Sequence, residues 1–270
     1  GEGPVGCADS FGAKLDVVID EIREAGRQGV WMRVPIAQAA AIPAAAARGF
    51  RYHHAEGDSA MLLAWLPPSA SPVPDFATHV IGVGGMVLDE ASHEVLVVKE
   101  RVAATSTSQG SWKLPGGLVD LGEEFADGAA REVLEETGVR AAFRAILAAR
   151  HQHGAAFGRD DLYMICLMAP LTTEIDFDPH EISDCRWIPL SEYYDATRAT
   201  SKRQGVEENF NAFVVRNVLA ACERGDDLGR LGFGSREMGS PVGYQKGVTG
   251  LTSKPTYRIY SGLSRRTASI

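Results

Sequence analysis

Gly117-Leu118-Val119-Asp120-Leu121-Gly122-Glu123-Glu124-Phe125-Ala126-Asp127-Gly128-Ala129-Ala130-Arg131-Glu132-Val133-Leu134-Glu135-Glu136-Thr137-Gly138-Val139 is the stretch on which the reading of this 270-residue chain turns. Glycines at 116 and 117 permit a tight turn in which the backbone approaches a ligand closely. Acids near Glu123 favour the positive end of a helix dipole and Gly138 is a natural C-terminal stop, so a helix from near Glu123 to Gly138 is predicted. At about 100° per residue, with Glu132 at 0°, Glu135 lies near −60° and Glu136 near +40°, so three carboxylates share one face. Ala129, Val133 and Ala126, at about 60°, 100° and 120°, form an apolar stripe beside them, and Arg131 falls next to Glu135. A bare Glu-rich helix is most often a solvated face, but the glycine turn and Arg131 argue for more. Three like charges within one and a half turns repel one another, and a divalent cation is the best compensation. All-oxygen donors select hard ions, Mg²⁺ or Mn²⁺, over Zn²⁺. Glu132, Glu135 and Glu136 are therefore the candidate metal ligands.

As a pattern the stretch is Gly117, five residues, Glu123, seven residues, Arg131-Glu132-Val133, one residue, Glu135-Glu136, one residue, Gly138-Val139. At every specified position it resembles the signature of the Nudix hydrolases, GX5EX7REUXEEXGU with U a bulky aliphatic residue. The resemblance implies an α+β fold, the Nudix α/β/α sandwich with a mixed sheet. It also implies hydrolysis of a nucleoside diphosphate linked to another moiety. Residue by residue it implies metal ligation by Glu132, Glu135 and Glu136 with help from the Gly116 carbonyl. Arg131 would orient a catalytic carboxylate, and Glu123 would be a structural or metal-associated acid. A further acid often comes from a loop before a late strand, and Glu181, six residues before Trp187, is placed to be that extra ligand or base.

The likeness extends to Gly29-Val30-Trp31, Gly49-Phe50-Arg51-Tyr52-His53-His54-Ala55-Glu56, Trp65-Leu66-Pro67, Gly82-Val83-Gly84, Trp112-Lys113-Leu114-Pro115-Gly116-Gly117 and Trp187-Ile188-Pro189. These look like the animal and plant subfamily with an N-terminal pre-Nudix domain. Its plant members are linked to ADP-ribose and NADH pyrophosphatase activity, and its animal members include the antisense fibroblast growth factor protein. A small acetyltransferase-like α/β pre-domain without acetyltransferase activity is implied. The SQPWPxPxS motif of the NADH subgroup is missing, as are the Pro or Tyr some 15–18 residues after the box that often mark ADP-ribose and dinucleoside polyphosphate enzymes. Gly128 inside the helix costs up to ~1 kcal/mol against alanine, and the sequence offers no reason for it.

Outward from the helix, β-like runs are predicted at Val80–Leu88, Val95–Val98, Trp112–Leu114, Ala142–Ala149, Asp161–Ala169 and Cys185–Ile188, with a last helix over Glu207–Glu223. The proline-dense Pro67–Pro74 reads as a semi-rigid linker. Before it, Leu15, Val18, Ile19, Ile22 and Ala25 recur at helical spacing. Strands are predicted at Val30–Val34 and Met61–Leu66, and Pro43 opens an alanine helix that Gly49 stops. The expected domains are 1–74, the pre-domain and linker; 75–224, the hydrolase domain; and 225–270, a basic Gly/Ser-rich disordered tail. The tail carries seven basic against three acidic residues, a net +4 that leaves −12 on the rest of a chain of net charge −8. A unit of ~65 residues is marginal alone, so the pre-domain is expected to dock on the hydrolase domain or on a second copy of the chain, a homodimer being the commonest such arrangement.

An acidic chain lacks the positive field that drives non-specific DNA binding, so no DNA partner is expected. The longest strongly apolar stretch, Leu162–Leu171, is half the ~20 residues of a membrane helix, so no membrane partner is expected and the chain reads as soluble. Four scattered cysteines without a CxxC pair point to reduced thiols in an intracellular compartment, cytoplasmic by default. Because the numbering starts at Gly1, an organelle address is compatible with the same reading. Arg101, Lys113 and His151 are the candidate substrate-binding residues. Zinc is not expected at His151 and His153, with no Cys or third His near in sequence. His53 and His54 read as structural, on opposite faces of a strand.

The mechanism expected is metal-assisted attack of water on a diphosphate phosphorus, with Glu132 or Glu181 accepting the proton and a small nucleoside diphosphate as substrate. Two rivals stand beside it. One is an isomerase acting on a prenyl diphosphate with a related fold. The other is a signalling or interaction protein that binds a nucleotide with little turnover.

Overall fold

Helical spacing at the start of the chain becomes α1 (Val5–Glu24), which buries Leu15 and Ile19 and packs Ile22 against them. Val18, expected on that face, is 43% exposed, because it lies about 60° from Leu15, at the stripe's edge. The computed structural model describes residues 5–102, 110–154, 158–230, 234–239 and 256–261, and its contacts divide the chain into two compact units, Gly1–Thr78 and His79–Ile270.

The first unit continues with β1 (Gly29–Pro35), a 3₁₀ turn over Ile36–Ala41, α2 (Ile42–Ala46), β2 (Arg51–Glu56) and β3 (Ser59–Trp65). The strands form an antiparallel sheet in the order β1-β3-β2. Val30 and Val34 alternate inward to meet Leu62 and Ala64, and Ala45 and Phe50 close this core with the helices. A register shift between Tyr52 and His54 places a bulge at His53. The bulge re-aims that residue, so the two histidines do not face opposite ways: their Nδ1 atoms are 2.8 Å apart. The proline-dense stretch is fastened along this unit, with His53 Nε2 at 2.9 Å from the Pro74 carbonyl and His54 stacked on Phe76.

The second unit opens with β4 (His79–Asp89) and β5 (Glu94–Glu100), joined by a short turn. Then come β6 (Gly116–Leu118), α3 (Phe125–Thr137), β7 (Ala141–Gln152), β8 (Asp160–Pro170), β9 (Ile182–Pro189), α4 (Leu190–Arg203) and α5 (Phe210–Arg224). The sheet order is β7-β8-β4-β5-β9, with β6 paired to β4; β4 and β8 are parallel and the other pairs antiparallel, giving the expected mixed sheet. Alternation sorts its two faces. Val95, Val97, Ile165 and Leu167 pack with Tyr193 of α4 and Val214 and Val218 of α5. Leu96, Val98, Cys166 and Met168 pack with Ala129 and Val133 of α3. Helices on both faces make an α/β/α sandwich of α+β class. Leu162–Leu171 is largely β8, and among the described residues no helix is long and apolar enough to cross a membrane.

Leu228 is buried in the core beside α5, and β10 (Gly234–Gly239) pairs antiparallel with β11 (Thr256–Ser261). Thr256-Tyr257-Arg258-Ile259-Tyr260 supplies the β-branched and aromatic residues that suit a strand, a local preference that the tail's glycine content and charge outweighed in the sequence reading. The remainder of the tail, Ala103–Gln109 and the Cys7 side chain lie outside the described residues.

Candidate active site

Helix α3 starts two residues later than predicted and ends at Gly138, whose φ of +72° caps it while its N–H donates to the Leu134 carbonyl. Ala126, Ala129 and Val133 are buried, as the angular arithmetic requires, and they fix the roll of the helix against the sheet. That roll turns Glu132 and Glu136 toward β6, while Glu135 stays largely exposed beside Arg131.

Arg131 organises the carboxylates. Its Nε and Nη2 fork onto Glu123, to Oε1 at 2.9 Å and Oε2 at 3.0 Å. Nη1 donates to Glu132 Oε1 at 2.8 Å and to Glu135 Oε2 at 3.1 Å, and Nη2 also reaches the Leu118 carbonyl at 3.0 Å. All five guanidinium donors are thus used. The same contacts hold the Glu123 carboxyl below its ordinary range and push the Arg131 guanidinium still higher. Glu123 also accepts from the Asp120 N–H, which closes the turn leading into the helix. Gly128 now has its reason. A Cβ there would lie 2.9 Å from Glu123 Oε2, pressing on a carboxylate that Arg131 and Asp120 hold in place.

Glu136 differs from its neighbours. It is only 7% exposed, and Oε2 accepts from the Gly116 N–H at 3.0 Å. Burial pushes its carboxyl up; the Lys113 ammonium 3.5 Å away and the Gly116 N–H pull the other way, while Glu132 and Glu100 add to the rise. Lys113 bridges to Glu100 as well, so it balances charge inside the cluster. The Glu132 carboxylate lies over Gly117, where a Cβ would be 2.6 Å from Oε2. The second glycine of the turn therefore makes room for a carboxylate.

Two family models match the chain. A NUDIX domain model covers residues 78–210, and a Nudix hydrolase domain model covers residues 5–66. The protein "Nucleoside diphosphate-linked moiety X motif 6" of Xenopus laevis is 45% identical over 157 residues, 57% of this chain and 70% of that protein. The chain belongs to the Nudix hydrolase family. Nudix hydrolase 8 of Arabidopsis thaliana is 42% identical over 187 residues, 69% of this chain and 50% of that protein. The human "Nucleoside diphosphate-linked moiety X motif 6" is 40% identical over 187 residues, 68% of this chain and 58% of that protein. The chain thus spans between half and three-fifths of the length of these last two relatives.

Within the Nudix frame the structure brings Arg131, Glu132, Glu135, Glu136, Gly116 and Lys113 into one cluster. Gly116 meets Glu136 through its N–H, whereas the sequence reading gave it a role through its carbonyl. Arg101 and Glu181 lie together at the loop before β9: the Arg101 N–H donates to the Glu181 carbonyl and its Nε to the Pro179 carbonyl, both at 2.8 Å. Ile182 pairs with Glu100, so this loop ends beside the Glu100–Lys113 contact. His151 is elsewhere. It meets His79 and Asp160 at the start of β4 and β8, five residues along β4 from the Gly84 that pairs with Gly116, about 16 Å away. Glu100 is the cluster member that sequence reasoning missed. Its signal is non-local, since only the bridge between Val98 and Lys113 sets it beside the ammonium.

Proposed function

We propose that the chain is a Mg²⁺- or Mn²⁺-dependent pyrophosphohydrolase that cleaves the diphosphate of a nucleoside diphosphate linked to another moiety, with ADP-ribose or NADH as the expected substrate. The observation that carries this reading is the carboxylate array, in which one arginine spends every donor on Glu123, Glu132, Glu135 and a backbone carbonyl while Glu136 is held on the Gly116 N–H. The donor set fits a hard cation, being all oxygen and crowded with like charge. Glu132, Glu135 and Glu136 would hold the ion, whose charge when bound lowers the pKa of water and offsets charge developing on the phosphates. Arg131 orients Glu132, which accepts the proton of the attacking water, and Glu181 is the alternative acceptor. Arg101, fixed to the same loop, supplies positive charge to the substrate phosphates. The names of the animal relatives support the substrate class, and the resemblance to the plant subfamily supports ADP-ribose and NADH.

The partner expected for the first unit is a second copy of the chain, because Val17, Ile36, Tyr52 and Phe76 remain exposed there. A reducing intracellular compartment suits the free thiols of Cys166, Cys185 and Cys222. The test is a panel of nucleoside diphosphate derivatives and one prenyl diphosphate, each with Mg²⁺ or Mn²⁺, read by chromatography. AMP released from ADP-ribose or NADH is the expected result. Cleavage of a different diphosphate would overturn the substrate and leave the class. Nucleotide binding without products from any compound, or isomerisation of the prenyl diphosphate, would overturn the class.

A further inference from the structure

A second cluster of metal-ligating side chains lies at one end of the same sheet. Parallel pairing of β4 and β8 sets His79 opposite Asp160, and antiparallel pairing of β7 with β8 sets His151 opposite Leu162. Three strand ends thus gather residues far apart in sequence, which is why the sequence reading found no third partner for His151. One ligand atom from each of His79, His151 and Asp160 falls within 4.8 Å of the others. The Nε2 atoms of His79 and His151 are 2.9 Å apart, and Asp160 Oδ2 is 3.6 Å from His151 Nε2. Two ligands each about 2.0–2.1 Å from one ion are separated by about 2.9 Å at a right angle and about 3.4 Å at a tetrahedral angle. The His79–His151 and His151–Asp160 separations are close to these values, and His79 and Asp160, within 4.8 Å of each other, need only a small side-chain closure to share the ion.

The cluster also has supporting contacts. The Gly154 N–H donates to Asp160 Oδ1 at 3.0 Å, which orients the carboxylate with Oδ2 toward the imidazoles, and His153 Nδ1 lies 2.7 Å from that Oδ2. Partners of this kind fix the direction of a ligating carboxylate. Side-chain exposures of 46% for His151 and 30% for Asp160 leave an ion a path from solvent. Imidazole pairs with one carboxylate favour first-row transition ions and discriminate against Mg²⁺, the reverse of the α3 carboxylates.

We propose that His79, His151 and Asp160 bind one divalent transition cation of the zinc type, clamping the ends of β4, β7 and β8 at a site separate from the α3 glutamates. The test uses the full chain in equilibrium dialysis against Zn²⁺ with Mg²⁺ in large excess, so that the carboxylate site is filled by the hard ion. One Zn²⁺ per chain is expected in the wild type and in Glu136→Gln, with affinity at least ~10-fold weaker in each of His79→Ala, His151→Ala and Asp160→Asn. Zn²⁺ at a hundredfold excess over its dissociation constant should raise Tm by roughly 5 °C in the wild type and not in His79→Ala. Absence of Zn²⁺ from the wild type, binding undiminished by all three substitutions, or binding lost in Glu136→Gln instead would each overturn the proposal. A measurement on the wild type alone guards against a variant that fails to fold. Imidazole resonances of His79 and His151 should shift on Zn²⁺ addition before those of His53 and His54, and a uniform response would overturn the site.

Discussion

Replacing Arg131 by Gln should loosen α3 and the turn before it, and the structure sets the size of the effect. The substitution keeps a long polar side chain but removes the charge and most of five hydrogen bonds. The contact to Glu135, whose side chain is 61% exposed, contributes only a few tenths of a kcal/mol. Glu123 and Glu132 are mostly covered, and a hydrogen bond to a charged group in such a place is worth about 1.5–3 kcal/mol. Water enters partly when the guanidinium goes and the contacts are not additive, so the net loss should be about 2–4 kcal/mol. For a unit of this size that corresponds to roughly 5–12 °C in Tm. The loss should be larger without Mg²⁺ than with it, because a bound cation takes over part of the charge compensation. Because the chain has two units, the assay should be hydrogen exchange of peptides covering 125–137 alongside the thermal transition. Arg131→Lys should fall between, since an ammonium cannot reproduce the fork on Glu123. A double-mutant cycle of Arg131→Gln with Glu123→Gln should give a coupling above about 1 kcal/mol. An Arg131→Gln protein with unaltered exchange in α3 and Tm within about 2 °C of wild type would refute the reasoning.

Gly128→Ala should destabilise although helix propensity favours it by about 1 kcal/mol, because the added methyl presses on the Glu123 carboxylate; a raised melting temperature would contradict this account of the glycine. Stability should fall in alkali, because burial pushes the Cys166 thiol from 9.0 up to about 12. The buried neutral thiol favours the folded state fully below pH 9, and that advantage is lost as pH rises from 9 through 12, by about 1 kcal/mol at pH 10 for Cys166 alone. Urea titrations at pH 8 and pH 10 check it, with Cys166→Ala expected to show a shallower fall. Deleting residues 1–78 should give a poorly soluble or monomeric protein whose folded fraction still hydrolyses, measured by light scattering and activity per folded molecule; a soluble fragment of unchanged mass state with no turnover would show that the first unit contributes to the chemistry.

The carboxylate face of α3 was legible because helix geometry is local: one angular calculation places Glu132, Glu135 and Glu136 together, and Ala126, Ala129 and Val133 on the buried side. Helix α4 was illegible for a matching reason. Its buried positions are Leu190, Tyr193, Thr197 and Ser201, so half of the inward stripe is hydroxyl residues that satisfy themselves on helix carbonyls and erase the apolar period. Strand β6 was hidden because Gly116 and Gly117 read as a turn, although they also pair with Gly84 and Val83. Glu100, His79 and Asp160 carry no local signal at all, since their neighbours are supplied by strand pairing. The bulge at His53 overturned a simple alternation argument, which holds only while the register is unbroken.

The central claim is that the α3 carboxylates hold the ion on which turnover depends, and Glu136→Gln tests it most directly. The substitution keeps the shape and removes the buried negative charge that rests on the Gly116 N–H. Steady-state turnover on the best diphosphate substrate should be followed across Mg²⁺ concentration, with the metal-free melting temperature recorded beside it. At least ~100-fold lower turnover at saturating Mg²⁺ is predicted, with metal-free stability unchanged or raised because burial of the carboxylate charge and its repulsion from Glu132 are both relieved. Near-normal turnover of Glu136→Gln at saturating Mg²⁺, in a protein that remains folded, would contradict the assignment.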